Sequence, residues 1–274
     1  DYNDMLANEK IDGIVATQPF DRHGIVLPGL FKTGIPIFTE KPLSASVEIG
    51  QILLNEVNKN SNVHVLGYHK RSDPASMYAK DEIARLNSTN ELGRMKYVRI
   101  SIPLGDWFAG GLFGFIRNDG PYIELEKDPL SSDMDEQTYK KYRNFINHFI
   151  HHVNLLRYFL GEPYKVTYAD PSGILFAALS NSGICGAIEL NPYQTTVDWQ
   201  ESALICFEKG WIKVELPAPL AFNRPGKVSI YRDPGDGVTP QLIVPQLPWD
   251  HAMRQQAKNF IAEIKGEQTP MCKT

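Results

Sequence analysis

Three short apolar runs, Ile11–Thr17 (IDGIVAT), Ile35–Thr39 (IPIFT) and Val63–Gly67 (VHVLG), alternate with two segments whose apolar residues recur at helical spacing. Nothing else in the sequence narrows the fold as much. In Asp21–Thr33 the recurring residues are Ile25, Leu27 and Leu30; in Ser46–Asn60 they are Val47, Ile49, Leu53, Leu54 and Val57. Gly34 is placed to end the first helix as a C′ glycine, and Ser44 or Ser46 to cap the second. Strands that are apolar throughout are covered on both faces, and strands joined through helices run parallel. The rhythm therefore predicts half of a doubly wound α/β domain.

After Arg71 the pattern changes. Pro74–Leu86 reads as a helix and Met95–Leu104 alternates like a strand. A loop-rich insertion, with the run GDWFAGGLFGF, extends from Gly105 to about Met134. A long helix is expected over Tyr139–Leu160, ended by Gly161 and Pro163. Between Lys165 and Ile230, alternating runs are split by Asn-Ser-Gly, Lys-Gly and Pro-Gly turns, which argues for an antiparallel meander. A last helix is expected over His251–Lys265. The chain divides into a parallel α/β piece, residues 1–70, and an α+β domain, residues 71–274, built on a large, mostly antiparallel open sheet.

Bulk properties exclude several partners. The 274 residues carry a formal charge of −4, with a pI near 6.0, so neither nucleic acid nor an anionic membrane is expected. No apolar run approaches the roughly 20 residues that span a bilayer. Cys185, Cys206 and Cys272 lie far apart with no CxxC spacing, so neither a zinc site nor a disulfide framework is indicated, and free thiols suit a cytoplasmic protein. The first residues, Asp1-Tyr2-Asn3-Asp4, lack the basic and apolar regions of a signal peptide. The chain starts inside a helix-like acidic segment, and the expectation is a trimmed piece of a longer protein.

The polar residues that can carry chemistry gather at strand ends. Thr17-Gln18-Pro19, His23, Glu40-Lys41-Pro42 and Tyr68-His69-Lys70-Arg71 all fall at or just after the three expected parallel strands. Ligands of open α/β sheets bind at that edge. Pro42 disfavours helical backbone at Lys41 and so keeps the lysine near the strand end. The five residues Thr39–Leu43 alone are equally explained as a solvated turn. On the long helix, Asn147, His151 and Asn154 share one face, and His148 and His152 form a neighbouring i, i+4 pair. HxxxH spacing can grip zinc, but no carboxylate or cysteine nearby in the sequence completes a set, so no metal is expected. Asp106-Trp107 lie in the insertion, where Trp107 can cover a ligand, pack in the core or meet another subunit.

The run DGIVATQPFDRHGIVLPGLFKTGIPIFTEKPLS resembles the second half of the nucleotide-binding domain in the glucose–fructose oxidoreductase/inositol dehydrogenase family, Gfo/Idh/MocA. NHFIHHVNLLRYFLGEP is similar to that family's DxGxHxxDxxRYLxG helix, and MRQQAKNFIAEIKGEQTPM to its C-terminal helix. The resemblance implies a Rossmann-like sheet, a NAD or NADP cofactor, a sugar, cyclitol or related polyol as substrate, and a homodimer or homotetramer. It implies that Thr17, Pro19, His23, Glu40 and Lys41 line the cofactor, and that Tyr68, Arg71, Asn147 and His151 surround substrate. Lys41 would polarise the reacting hydroxyl and His151 would take its proton. Asn147 and Asn154 stand where the motif has aspartates, and no GxGxxG loop occurs in the chain. The alternative class is a homologue that binds a sugar-like ligand or a protein partner without turnover.

Overall fold

The structure, a computed structural model, describes residues 2–110, 120, 124–221 and 224–274. In chain order the first elements are α1 (Tyr2–Asn8), β1 (Ile14–Ala16), a 3₁₀ turn (Phe20–Arg22), α2 (His23–Phe31), β2 (Ile37–Thr39), α3 (Val47–Asn60) and β3 (His64–Leu66). A 3₁₀ turn (His69–Ser72), α4 (Pro74–Thr89), β4 (Met95–Gly105) and α5 (Glu136–Leu160) follow. Then come β5 (Tyr164–Ala169), β6 (Leu175–Ser180), β7 (Cys185–Thr195), β8 (Glu201–Phe207) and β9 (Gly210–Leu216). The chain closes with β10 (Lys227–Arg232), β11 (Gln241–Ile243), α6 (Ala252–Ile264) and β12 (Cys272–Lys273). The residues group into two compact units, one within 1–68, 118–150 and 256–274, the other within 69–117 and 151–255.

In the first unit, β1, β2 and β3 are parallel neighbours. Their register aligns Ile14, Ile37 and His64 at one end and Ala16, Thr39 and Leu66 at the other. All three strands therefore finish level. Every residue of β2 and β3 is buried, whereas Val15 of the edge strand β1 is exposed. Leu27, Leu30 and Phe31 of α2 and Leu53 and Val57 of α3 pack with Ile14, Ala16 and Ile37 as the core. Full burial of such side chains stabilises by roughly 1.5–3 kcal/mol each. Ser46 is the cap of α3, its hydroxyl accepting from Ile49 N–H at 3.2 Å. The first helix is shorter than its spacing predicts, because Phe20–Arg22 tightens into 3₁₀ geometry with Asp21 off helical dihedrals.

The contiguous division at residue 70 needs correction. Two later segments join the first unit because β3 has a free edge and its neighbours an uncovered apolar surface. Cys272 and Lys273 pair antiparallel with Leu66 and Val65 on that edge. Phe260 and Met271 bury against Phe38 and Val65. The N-terminal half of α5 contributes Tyr139 and Ile146 to a cluster with Phe20 and Ala45.

The second unit is built on an eight-stranded sheet of order β11-β10-β9-β8-β4-β7-β6-β5. The expected meander is interrupted: β7 and β8, consecutive in sequence, are not neighbours, because β4 lies between them. β4 runs parallel to β7 and antiparallel to β8, and every other neighbouring pair is antiparallel. Val98, Ile100 and Ile102 alternate inward along β4. The C-terminal half of α5 buries Leu155, Leu156 and Phe159. Gly186 on β7 admits this helix, since a Cβ there would lie 3.2 Å from both methyls of Leu156. α4 begins at Pro74 behind the Asp73 cap, whose carboxylate accepts from Ala75 N–H at 2.8 Å.

If the returning C-terminal segment is part of the first unit's core, Phe260→Ala should cost about 3–5 kcal/mol. Chemical denaturation would measure it; a loss below 1 kcal/mol, on the order of a surface substitution, would contradict the assignment.

Candidate active site

The level ends of β1, β2 and β3 present Thr17 to Pro19, Glu40 and Lys41, and Gly67 and Tyr68 in that order across the sheet. Thr17 and Pro19 are exposed, Glu40 and Lys41 half-buried, and Tyr68 buried. The tip of β2 is held from several directions. Thr39 Oγ1 lies 3.0 Å from His64 Nε2, and His64 Nδ1 lies 2.7 Å from Thr274 Oγ1. Gly67 N–H donates to the Thr39 carbonyl at 2.7 Å. A Cβ at Gly67 would stand 3.1 Å from that carbonyl oxygen and 3.3 Å from Glu40 Cδ. A side chain at this position would press the tips of β2 and β3 apart by a few tenths of an ångström.

His23 is fully buried, with Nδ1 at 2.9 Å from the Leu43 carbonyl. A carbonyl only accepts, so Nδ1 carries the proton. Burial lowers the imidazole's pKa despite hydrogen bonding to Leu43 and Gln18. A neutral histidine thus braces the Glu40–Leu43 turn. The sequence placed His23 beside the cofactor; the structure places it inside, holding the backbone of the turn. The Lys41–Pro42 peptide is cis. Burial raises the Glu40 carboxyl against the opposing pull of Lys41. Lys41 Nζ donates to the Asn147 backbone carbonyl at 2.6 Å. The structure thus joins Lys41 and Asn147, but through a main-chain oxygen that either asparagine or aspartate supplies.

Around α2 and α3 lie anchors that the sequence did not reveal. Asp128 accepts from Gly24 N–H at 2.9 Å, and Asp21 pairs with Arg143 at 2.9 Å. Glu48 accepts from Ser131 and Ser132, and hydrogen bonding, first to its own backbone, holds its carboxyl down at about 2. These carboxylates sit at the first turns of α2 and α3, where the helix dipole favours negative charge.

In the second unit, the His69 and His151 rings meet edge to face with centroids 4.5 Å apart. Arg71 Nε donates to Asn154 Oδ1 at 2.6 Å, and its guanidinium lies 4.9 Å over the Tyr158 ring. Asn154 therefore serves as a neutral acceptor where the motif's aspartate would supply a counter-charge. His148 turns back to its own helix, Nδ1 at 2.7 Å from the Asn144 carbonyl. Asp106 caps a turn through Phe108 N–H and Gly110 N–H, bonds that hold its carboxyl low. Trp107 is 39% exposed. The rest of the glycine-rich run, 111–119, lies outside the described residues.

Glu201 is the functional candidate that sequence reasoning missed. Its carboxylate is fully buried and bonded to Lys70. Trp199 Nε1–H reaches it at 3.0 Å and His152 Nε2 stands at 3.2 Å. Burial pushes this carboxyl upward, but Lys70 and His152 outweigh it and hold the group below the ordinary carboxylate range. Nearby Asp73 is pushed up to about 6 by burial, against hydrogen bonds from Ala75 and Gly226. A signal existed: Glu201 occupies the inward register of β8 with Ala203, Ile205 and Phe207. A carboxylate in a core register implies partners. Among the described residues, no group of three or more His, Cys, Asp or Glu side chains is arranged to hold a metal ion.

No family model matches the chain. It is 26% identical over 204 residues to the scyllo-inositol 2-dehydrogenase (NAD⁺) of Bacillus subtilis. The match takes in 69% of this chain and 51% of the relative, so the chain spans about half that protein's length. Among solved structures, it is similar to the aldose-aldose oxidoreductase of Caulobacter crescentus, with TM-score 0.63, 15% identity, and coverage of 97% of this chain and 73% of the other. It is also similar to a UDP-N-acetylglucosamine 3-dehydrogenase from Acidithiobacillus ferrooxidans, with TM-score 0.62, 16% identity, and coverage of 99% and 75%. This is the fold of the Gfo/Idh/MocA-type oxidoreductases. Lys41 lies two residues beyond the end of β2, and His151 lies on α5. Among the described residues, no helix is long and apolar enough to cross a membrane.

His64 makes the β2 tip sensitive to acid. Burial first, and repulsion from His23 when that ring is also protonated second, lower its pKa from 6.5 to about 3. The unfolded chain then binds the extra proton between those values, so stability present above pH 6.5 is lost as pH falls. The slope is up to about 1.4 kcal/mol per pH unit, or about 2 kcal/mol at pH 5. Denaturant midpoints from pH 8 to pH 5 should fall in the native protein and fall less in His64→Gln; equal slopes would remove His64 as the cause.

Proposed function

We propose that this chain belongs to an NAD(P)-dependent oxidoreductase that transfers hydride between nicotinamide and a sugar, cyclitol or related polyol. The observation that carries the reading is the Glu40–Lys41 turn, held level with two other polar strand tips in a fold shared with oxidoreductases. The exposed Thr17 and Pro19 and the adjoining Glu40 and Lys41 suit the flat nicotinamide end of NAD or NADP, which when bound supplies the hydride acceptor or donor. Lys41 would bring positive charge to the reacting hydroxyl and favour its alkoxide form. Asn147, whose carbonyl receives Lys41, keeps that ammonium in place. His151 would take the hydroxyl proton, a role an imidazole ring nitrogen can fill as a general base. Tyr68 and Arg71 would contact the substrate, Arg71 being aligned by Asn154 and Tyr158. A homodimer or homotetramer in the cytoplasm completes the reading.

The test is absorbance at 340 nm with the full-length protein, NAD⁺ or NADP⁺, and a panel of cyclitols and aldoses. Reduction with at least one member is expected. In that assay Lys41→Ala should lower kcat by about 10²–10³-fold, the range of a lost charge-stabilising donor, with the fold intact. Full activity in the variant, or no reduction by the native protein with any member, would contradict the proposal.

A further inference from the structure

Two consecutive residue pairs meet in the second unit. His69 and His151 face each other ring to ring, 4.5 Å between centroids. The residues that follow each of them, Lys70 and His152, both reach the Glu201 carboxylate, Lys70 at Oε2 and His152 at Oε1. Side-chain exposure is 5% for Lys70, 4% for His152 and 0% for Glu201. Trp199 adds an indole N–H to the same carboxylate, and Lys70 lies 5.8 Å over its ring. Three separate elements, the His69–Ser72 turn, α5 and the start of β8, are thus tied at one buried charge.

We infer that Glu201 is a positioning residue for His151, fixing the angle at which its imidazole leaves α5. This rests on the reading of His151 as the proton acceptor. Successive residues on a helix point about 100° apart, so holding His152 inward sets the rotation of α5 where His151 projects. Holding Lys70 sets the neighbouring turn, and with it the His69 ring against which His151 packs. The arrangement also bears on the missing motif aspartates. Asn147 and Asn154 cannot supply a carboxylate to orient this helix, whereas Glu201 does so from the sheet side. A displacement of 1 Å in a reacting group lowers turnover by about 10²-fold, so a rigid anchor one residue away has a kinetic role as well as a structural one.

Glu201→Gln alone would leave the buried Lys70 ammonium without its counter-charge and weaken the fold. The informative variant is therefore Lys70→Met combined with Glu201→Gln, which removes both charges at similar volume, a change buried pairs often tolerate. In the full-length protein it should melt close to the native temperature, keep the native KM for cofactor, and lose about 10²-fold in kcat. Its His151 imidazole signals, assigned by their loss in His151→Gln, should shift and broaden in long-range ¹H–¹⁵N spectra. Native kcat with unchanged His151 signals would overturn the inference. So would failure of the double variant to fold, which would make the pair a requirement of the fold. If the native protein turns over no polyol, the functional reading fails while the imidazole spectra still decide the positioning role.

Discussion

The rest of the first unit depends on the register of three parallel strands. Because Ala16, Thr39 and Leu66 are aligned, the segments that follow them emerge at one level. A slip of one residue in β2 would turn Thr39 away from His64 and move Glu40 and Lys41 to opposite faces. The buried Thr39–His64–Thr274 chain of hydrogen bonds resists that slip, as does the close contact of Gly67 with Thr39 and Glu40. His23 then holds the turn from inside through Leu43. The polar edge is a consequence of core packing, and each residue beneath it is constrained by what it supports.

A different constraint governs the second unit. Buried charge is costly unless it is paired and hydrogen-bonded. The Lys70–Glu201 pair meets both conditions, with Trp199 and His152 occupying further positions on the carboxylate. Arg71 is handled differently: it donates to the neutral Asn154, and its guanidinium lies over the face of the Tyr158 ring. Lys80 lies 5.4 Å over the same ring, and burial followed by Arg71 lowers its pKa. One carboxylate and one aromatic ring thus organise the cations around the C-terminal half of α5.

What could be read from the sequence follows the range of the interactions involved. β2 and β3 were legible because strands buried on both faces leave apolar runs, and α3 because its apolar face repeats along one helix. The placement of β4 between β7 and β8 was not. Both neighbours alternate equally well, and a period of two says nothing about which strand lies beside which. β12 escaped because two residues carry no period at all. Of the candidate site residues, Lys41 and His151 were singled out by local motifs alone. His23 was read as lining the cofactor because its sequence position marks the strand tip but not its depth. Glu201 was passed over although its register on β8 pointed inward, since its partners Lys70 and His152 lie far away in the chain.

In the function proposed, the strand-tip edge around Glu40 and Lys41 receives a nicotinamide cofactor. The most direct measurement is a titration of the full-length protein with NADH and with NADPH, following nicotinamide fluorescence. Saturable enhancement is expected with at least one of them, weakened when Gly67→Val forces a branched side chain against Thr39 and Glu40. Absence of binding with either cofactor, or binding indifferent to Gly67→Val in a folded protein, would contradict that function.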